Sequence, residues 1–285
     1  MRVVLFTTTD MQSGRSADFW TMVRSVERNM APGLDVKHYV LLQRSTEVEC
    51  GEISAKFTYD ASVIWRADRV SLSAARNEML ELALKDGAFS ADGVVAFPDD
   101  DCWYPQHLLA GMSGLFASDG DIGLAICRIS LSPVEAPAPL PFEGANFRTI
   151  IRRSTSNSIF VRSAVAAEVK SFDPVLGLGT PNQGGEDTDF ALRSALSAKR
   201  SAFIDLELVG HKQSDLESVA KYYRGGLYVL ARFARQHGRL MYEMVRKVMI
   251  GVVLVVQGRL SLAKFTEAFA YSARTLLFNP WKKTR

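Results

Sequence analysis

The chain has 285 residues, 47% of them hydrophobic and 23% charged, the balance of a soluble globular protein with room for a full catalytic domain and a sizeable core. Its three cysteines, Cys50, Cys102 and Cys127, are widely spaced and odd in number, which excludes a disulfide framework and a zinc site and fits a reducing, cytosolic setting. The charge is uneven: residues 216–285 carry 13 Lys and Arg against 3 Glu, whereas residues 1–215 carry 21 against 28, so body and tail are expected to meet different partners.

Taken in chain order, VVLFT (3–7), VKHYVLL (36–42), GVVAF (93–97), DIGLAIC (121–127), NSIFV (157–161) and SAFIDLELV (201–209) read as strands. The opening stretch, with only four consecutive apolar residues, reads as the first strand and not as a signal peptide. Helices are predicted over 17–30, over 71–87 with Ser71 or Ser73 as N-cap and Gly87 as stop, and over 105–116 after a helix-initiating Pro105. Strands alternating with helices imply an α/β fold with a mainly parallel, doubly wound sheet. The four-proline stretch 132–145 reads as an extended surface loop, a type of segment that often serves as lid or substrate-binding element.

The most informative run is FPDDDCWYP (97–105). Three consecutive carboxylates at the end of an apolar strand repel one another, and drying any of them without a partner costs several kcal/mol. An Asp triplet taken alone is most often a solvated turn. This one leaves the carboxyl end of a buried strand, where open α/β sheets bind ligands, and a divalent cation with oxygen ligands resolves the repulsion. A second acidic cluster, GGEDTDFALR (184–193), places Glu186, Asp187 and Asp189 in a helix's first turn, where the macrodipole tolerates anions. His211 follows the last strand, while His38, His107 and His237 read as structural: His38 opening a strand, His107 inside a helix, His237 before a C-capping Gly238.

Read in order, ARN in LSAARNEML, FPDDDCWYP, SNSIFVR, FDPVLGLG and GGEDTDFALR resemble the motifs of a family 2 glycosyltransferase with the GT-A fold, over roughly residues 1–215. The resemblance implies an inverting transferase that uses a nucleotide-diphosphate sugar and Mn²⁺ or Mg²⁺. It divides the chain into a catalytic domain, 1–215, with a nucleotide-binding half (1–101) and an acceptor-binding half (102–215), and a helical extension, 216–285. By position in the motifs it assigns Asp99 and Asp100 to the nucleotide and its ribose, Asp101 with Asp99 and His211 to the metal, Arg76 to the nucleotide's surroundings, and Asp187 with Glu186 to the catalytic base. Thr8, at the end of the first strand, and Gln43, where the family usually has an Asp that reads the base, are expected at the nucleotide; a Gln amide can donate and accept toward a uracil edge, which keeps a UDP-sugar as the expected donor. The family implies a lipid-linked or oligosaccharide acceptor in bacterial surface polysaccharide synthesis. Another metal-dependent nucleotide-sugar enzyme and a non-catalytic binding module remain as alternatives. The absence of G-x-G-x-x-G after the first strand speaks against the former, and the complete carboxylate set against the latter.

In the tail, Tyr223, Leu227, Leu230 and Ala234 share a helical face and Arg224, Arg232, Arg235 and Arg239 another over 222–240, followed by the apolar run 248–256. Nine apolar residues are too few to cross a bilayer, which takes about 20. The segment reads either as an interfacial helix on the inner face of the cell membrane or as a helical cap packed by its apolar face. Basic residues beside an aliphatic face, without interleaved aromatics on a sheet, exclude nucleic acid as a partner.

Overall fold

The computed structural model describes residues 1–212 and 218–278. The chain forms two compact units: one comprises Met1–Phe172 and the stretch from Phe190 through the last strand, the other Asp173–Asp189 and the C-terminal helices.

The first unit is built on a nine-stranded sheet. Its strands are β1 (Arg2–Asp10), β2 (Asp35–Gln43), β3 (Ala61–Arg66), β4 (Val94–Ala96), β5 (Cys102–Trp103), β6 (Ile122–Ser130), β7 (Glu143–Gly144), β8 (Ile159–Arg162) and β9 (Arg200–His211). They run in the order β3-β2-β1-β4-β8-β6-β9-β5, with β7 beside β9. Pairing is parallel from β3 through β4 and between β6 and β9, while β8, β5 and β7 run antiparallel to their neighbours. The GT-A-type mixed sheet flanked by helices is therefore the α/β architecture the sequence implies. Strand order reverses between β1 and β4: the chain leaves β1 toward β2 and β3, then returns to β4 on the other side. That divergence opens a crevice at the strands' carboxyl ends, the place where doubly wound sheets receive ligands.

The helices of this unit are α1 (Ser16–Glu27), α2 (Glu47–Ser54), α3 (Leu72–Lys85), α4 (Leu108–Ser118), α5 (Phe147–Arg153) and α6 (Ser163–Val169). Ser71 caps α3 by accepting from the Ala74 N–H, as its sequence predicts. α4 starts three residues later than Pro105 suggests, with His107 outside it in a left-handed conformation. The cause is Asn29, whose Nδ2 donates to the Pro105 carbonyl at 2.9 Å and whose Oδ1 accepts from the Leu109 N–H at 3.1 Å, fixing the turn and capping the helix from another segment. The core between sheet and helices is filled by aromatic and branched residues: Phe6 stacks on both Tyr39 and Phe97, and Phe97 meets Phe172 and Phe190 edge-on. All three cysteines are free and buried.

α7 (Glu186–Ser197) begins in the second unit and runs into the first. The second unit otherwise consists of the 173–185 segment and α8 (Ser218–Lys221), α9 (Tyr223–Phe233), α10 (Gly238–Val256) and α11 (Leu262–Phe278). The single helix expected over 222–240 is broken after Phe233. His237 is extended and its Nδ1 accepts from the Arg239 N–H, so it caps the start of α10, and Gly238 begins that helix where the sequence suggested an end. Tyr223, Leu227, Leu230 and Ala234 are all buried, so the apolar face of α9 is core.

Candidate active site

Two threonine hydroxyls of β1 hold the acidic triplet at the mouth of the crevice. Thr7 of β1 donates its hydroxyl to the Pro98 carbonyl at 2.8 Å, and Thr9 donates to Asp100 Oδ2 at 2.7 Å. Because the single Thr7 proton is spent on Pro98, Thr7 Oγ must accept from His38 Nε2, 2.9 Å away, which leaves His38 Nδ1 to accept from the Tyr59 hydroxyl at 3.0 Å. A buried relay, Tyr59 to His38 to Thr7 to Pro98, thus braces the loop from behind. His38 lies inside β2, and burial holds its imidazole down to about 3.

Beyond the loop, β5 pairs antiparallel with β9, setting Cys102 opposite His211 and Trp103 opposite Gly210. A Cβ on Gly210 would lie 2.0 Å from the Trp103 ring, so only glycine lets the indole settle on β9. This register delivers His211 to the triplet: its Nε2 stands 3.3 Å from Asp101 Oδ1. The contact pulls both groups toward their charged forms, lowering the Asp101 pKa and raising that of His211. Asp100, buried, is pushed up to about 6 by desolvation despite the Thr9 hydroxyl and Arg15. The Arg15 guanidinium, just ahead of α1, reaches Asp100 at 3.3 Å and Asp101 at 3.4 Å.

Asp99 is the most heavily held of the three. Arg76 donates to its Oδ1 at 2.9 Å, and Ser156 Oγ and Asn157 Nδ2 each donate to its Oδ2 at 3.0 Å. Its N–H donates to Asn157 Oδ1 at 2.6 Å. Arg76, only 2% exposed, also stacks over the Phe172 ring, 5.1 Å from its centroid. The expected Arg76, Asp99, Asp100, Asp101 and His211 therefore converge. Ser156 and Asn157 lie in the SNSIFVR motif, which assigns them no role by itself; Arg15 and Thr9 have no motif to announce them.

Among the described residues, one atom each of Asp99, Asp101 and His211 lie within 4.8 Å of one another, a set able to hold a metal ion. Two carboxylate oxygens and an imidazole suit a hard or borderline divalent ion such as Mn²⁺ or Mg²⁺. Thr8 and Gln43 also come together, on each other and on the main chain: Gln43 Nε2 donates to Thr8 Oγ at 3.0 Å, Thr8 Oγ donates to the Leu41 carbonyl, and Gln43 Oε1 accepts from the Val70 N–H at 2.8 Å. Both amide ends of Gln43 thus tie β1, β2 and the approach to α3 together at the crevice rim.

Glu186 and Asp187 open α7 within the second unit. Gly185 precedes them at φ +92°, a left-handed value that turns the chain into the helix. Glu186 is buried and Asp187 half-buried.

No protein-family model matches the sequence, and no curated protein does. Solved structures do. The chain is similar to Staphylococcus aureus TarS residues 1–349 in complex with UDP-GlcNAc, at 12% identity and a TM-score of 0.71, over 97% of this chain and 82% of that one. It spans 43% of a longer TarS structure, at 13% identity and a TM-score of 0.65 over 87% of this chain. It is also similar to GalNAc-T7 with UDP, GalNAc and Mn²⁺, at 12% identity and a TM-score of 0.59, over 96% of this chain and 57% of that one. The fold is GT-A-like, with a C-terminal helical extension.

Proposed function

We propose that the chain is an inverting, metal-dependent glycosyltransferase of the family 2 type, which moves a hexose from a UDP-sugar to a hydroxyl of a lipid-linked or oligosaccharide acceptor. The observation that carries this reading is the convergence of Asp99, Asp101 and His211 at the point where strand order reverses, beside the buried cation of Arg76. The structures of similar fold hold UDP-GlcNAc, or UDP, GalNAc and Mn²⁺.

In this reading Asp99, Asp101 and His211 hold Mn²⁺ or Mg²⁺, which, when bound, offsets the charge that builds on the diphosphate as it leaves. Arg76 and the Ser156–Asn157 pair hold the two oxygens of Asp99, so its carboxylate is oriented before any ligand arrives. Arg15 supplies a further cation to an anionic donor. Thr8 and Gln43 keep the β1–β2 rim in shape for the base, acting as a wall more than as hydrogen-bond readers because their polar atoms already serve the protein. Asp187, with Glu186 beside it, accepts the proton of the attacking hydroxyl, and attack opposite the departing diphosphate inverts the anomeric carbon. The domain reading follows from this division of labour: residues 1–101 bind the nucleotide, 102–215 the acceptor, and 216–285 form the extension.

UDP release from a panel of UDP-glucose, UDP-galactose and UDP-N-acetylglucosamine, with Mn²⁺ and either water or a membrane extract as acceptor, tests the assignment. Asp187→Asn should abolish release while leaving metal-dependent UDP binding in place. A variant that still turns over removes Asp187 from the base role, and no release by the wild type from any donor contradicts the function.

The acceptor's class draws support from the extension. No described helix is long and apolar enough to cross a membrane. α10, however, exposes Tyr242, Val245, Met249, Val252, Val253 and Val256, and α11 exposes Leu262, Phe269, Leu277 and Phe278. In α10 the spacing draws a continuous stripe, bounded by Arg239 before and Arg259 after. An apolar stripe in a segment of 13 basic against 3 acidic residues suits an anionic lipid surface, where each cation adds about 1 kcal/mol. Cosedimentation with vesicles containing anionic lipid, lost at high salt and absent with neutral vesicles, is the expected result. Equal recovery in the supernatant with both vesicle types would leave the stripe without a membrane role.

A further inference from the structure

We propose that Arg232 of α9 is a positioning residue for the acidic turn that opens α7, so that the C-terminal helices hold the base in place as well as extending the protein. The inference rests on the assignment of Asp187 as the base.

The observations lie within the second unit. The Nη1 of Arg232 donates to Asp173 Oδ2 at 2.5 Å and to Asp189 Oδ1 at 2.9 Å. Asp189 is fully buried and sits two residues past Asp187 in the same helical turn, and its N–H donates to the Gly185 carbonyl at 2.9 Å. Asp173 and Asp189 are the two ends of the segment that this unit takes from the middle of the chain. One guanidinium nitrogen therefore fastens both ends of the strap that carries the base.

Backbone packing reinforces the clamp. A Cβ added at Gly225 of α9 would lie 2.0 Å from the Gly184 carbonyl oxygen and 2.8 Å from that of Asn182. One added at Gly185 would lie 2.9 Å from the Gly225 carbonyl carbon. The main chain of α9 thus rests directly on the main chain of the 182–185 turn, and Gly225 is required by that approach. Within the strap, Asn182 Nδ2 donates to the Val175 carbonyl at 2.7 Å. A general base works only when its oxygen is aligned with the proton it takes, and an error of about 1 Å costs on the order of a hundredfold in rate. Asp187 is half-buried on the first turn of a helix, so its aim is set by how firmly that turn is seated.

The test compares Arg232→Met, Arg232→Lys, Gly225→Ala and Asp187→Asn in the full chain. UDP release from the UDP-hexose that the wild type turns over fastest, with water as acceptor, gives kcat and donor KM. Calorimetric titration of UDP with Mn²⁺ gives affinity and the fraction of molecules competent to bind. The expected result for Arg232→Met and Gly225→Ala is a fall in kcat of roughly ten- to a hundredfold, with donor KM and the UDP stoichiometry held within about twofold of the wild type. Arg232→Lys, which keeps a cation and a donor, should recover part of the rate. Unchanged kcat in Arg232→Met would overturn the proposal, as would a loss of kcat matched by an equal loss of UDP-competent molecules, the mark of a merely structural role. If Asp187→Asn keeps its turnover, the base assignment itself fails and the inference with it. If Asp187→Asn is inactive while Arg232→Met is fully active, the positioning role alone is refuted.

Discussion

Acid should loosen the site from behind through His38. In the fold this imidazole is neutral, with a proton on Nε2 given to Thr7 and Nδ1 accepting from Tyr59. Its burial lowers the pKa to about 3 from an ordinary value of 6.5. The unfolded chain therefore binds a proton below about pH 6.5 that the folded chain refuses until about pH 3, and the stability His38 supplies is lost as pH falls through that window. At 1.36 kcal/mol per unit, the loss is about 2 kcal/mol at pH 5 and reaches about 4 kcal/mol near pH 3. Urea unfolding of the wild type and of His38→Gln between pH 7.5 and 4.5 isolates the effect. The variant should be less stable at pH 7.5 and lose less stability on acidification, so that the two curves converge. An NMR titration giving His38 a pKa near 6.5 in the folded protein, or parallel curves, would refute the reasoning.

Two further outcomes follow from the packing around the triplet. Gly210→Ala places a Cβ within 2.0–2.3 Å of the Trp103 ring, so β5 must shift and separate Asp101 from His211; Mn²⁺-dependent UDP affinity should fall at least about tenfold, and unaltered affinity would show that the register of β5 does not matter. Arg76→Met keeps the buried volume but removes the charge-assisted bond to Asp99 and the stacking on Phe172, a loss of about 2–4 kcal/mol, read as a lower unfolding midpoint together with weaker UDP binding; a midpoint within error of the wild type would contradict it.

The extent to which this was legible in the sequence varied with the kind of signal. Long β-branched runs such as VVLFT and VKHYVLL announce buried parallel strands, and β1 and β2 lie there. β3, ASVIWR, is half-exposed along most of its length and shows no clean apolar run. α2 carries a mark legible in the sequence, the capping box of Thr46 and Glu49. β5 has only two residues, so no periodicity could reveal it, yet its pairing with β9 brings Asp101 to His211. That proximity was legible through motif resemblance alone. The tail arginines showed as one basic helical face, but ion pairs claim two of them: Arg224 meets Glu267, and Arg232 meets Asp173 and Asp189. Partners supplied by residues tens of positions away leave no trace in local pattern. The same holds for Thr8 and Gln43, whose polar atoms look available on paper and are bonded within the protein.

The central claim is that Asp99, Asp101 and His211 hold the metal on which a UDP-sugar's diphosphate rests. Calorimetric titration of UDP into the full chain with Mn²⁺, repeated with EDTA, with Asp101→Ala and with GDP in place of UDP, tests it most directly. The account predicts UDP binding that requires Mn²⁺, disappears in Asp101→Ala, and is stronger than that of GDP. Binding of UDP that is indifferent to EDTA and to the loss of Asp101, or no binding of either nucleotide, would contradict it and return the acidic triplet to a role in the fold alone.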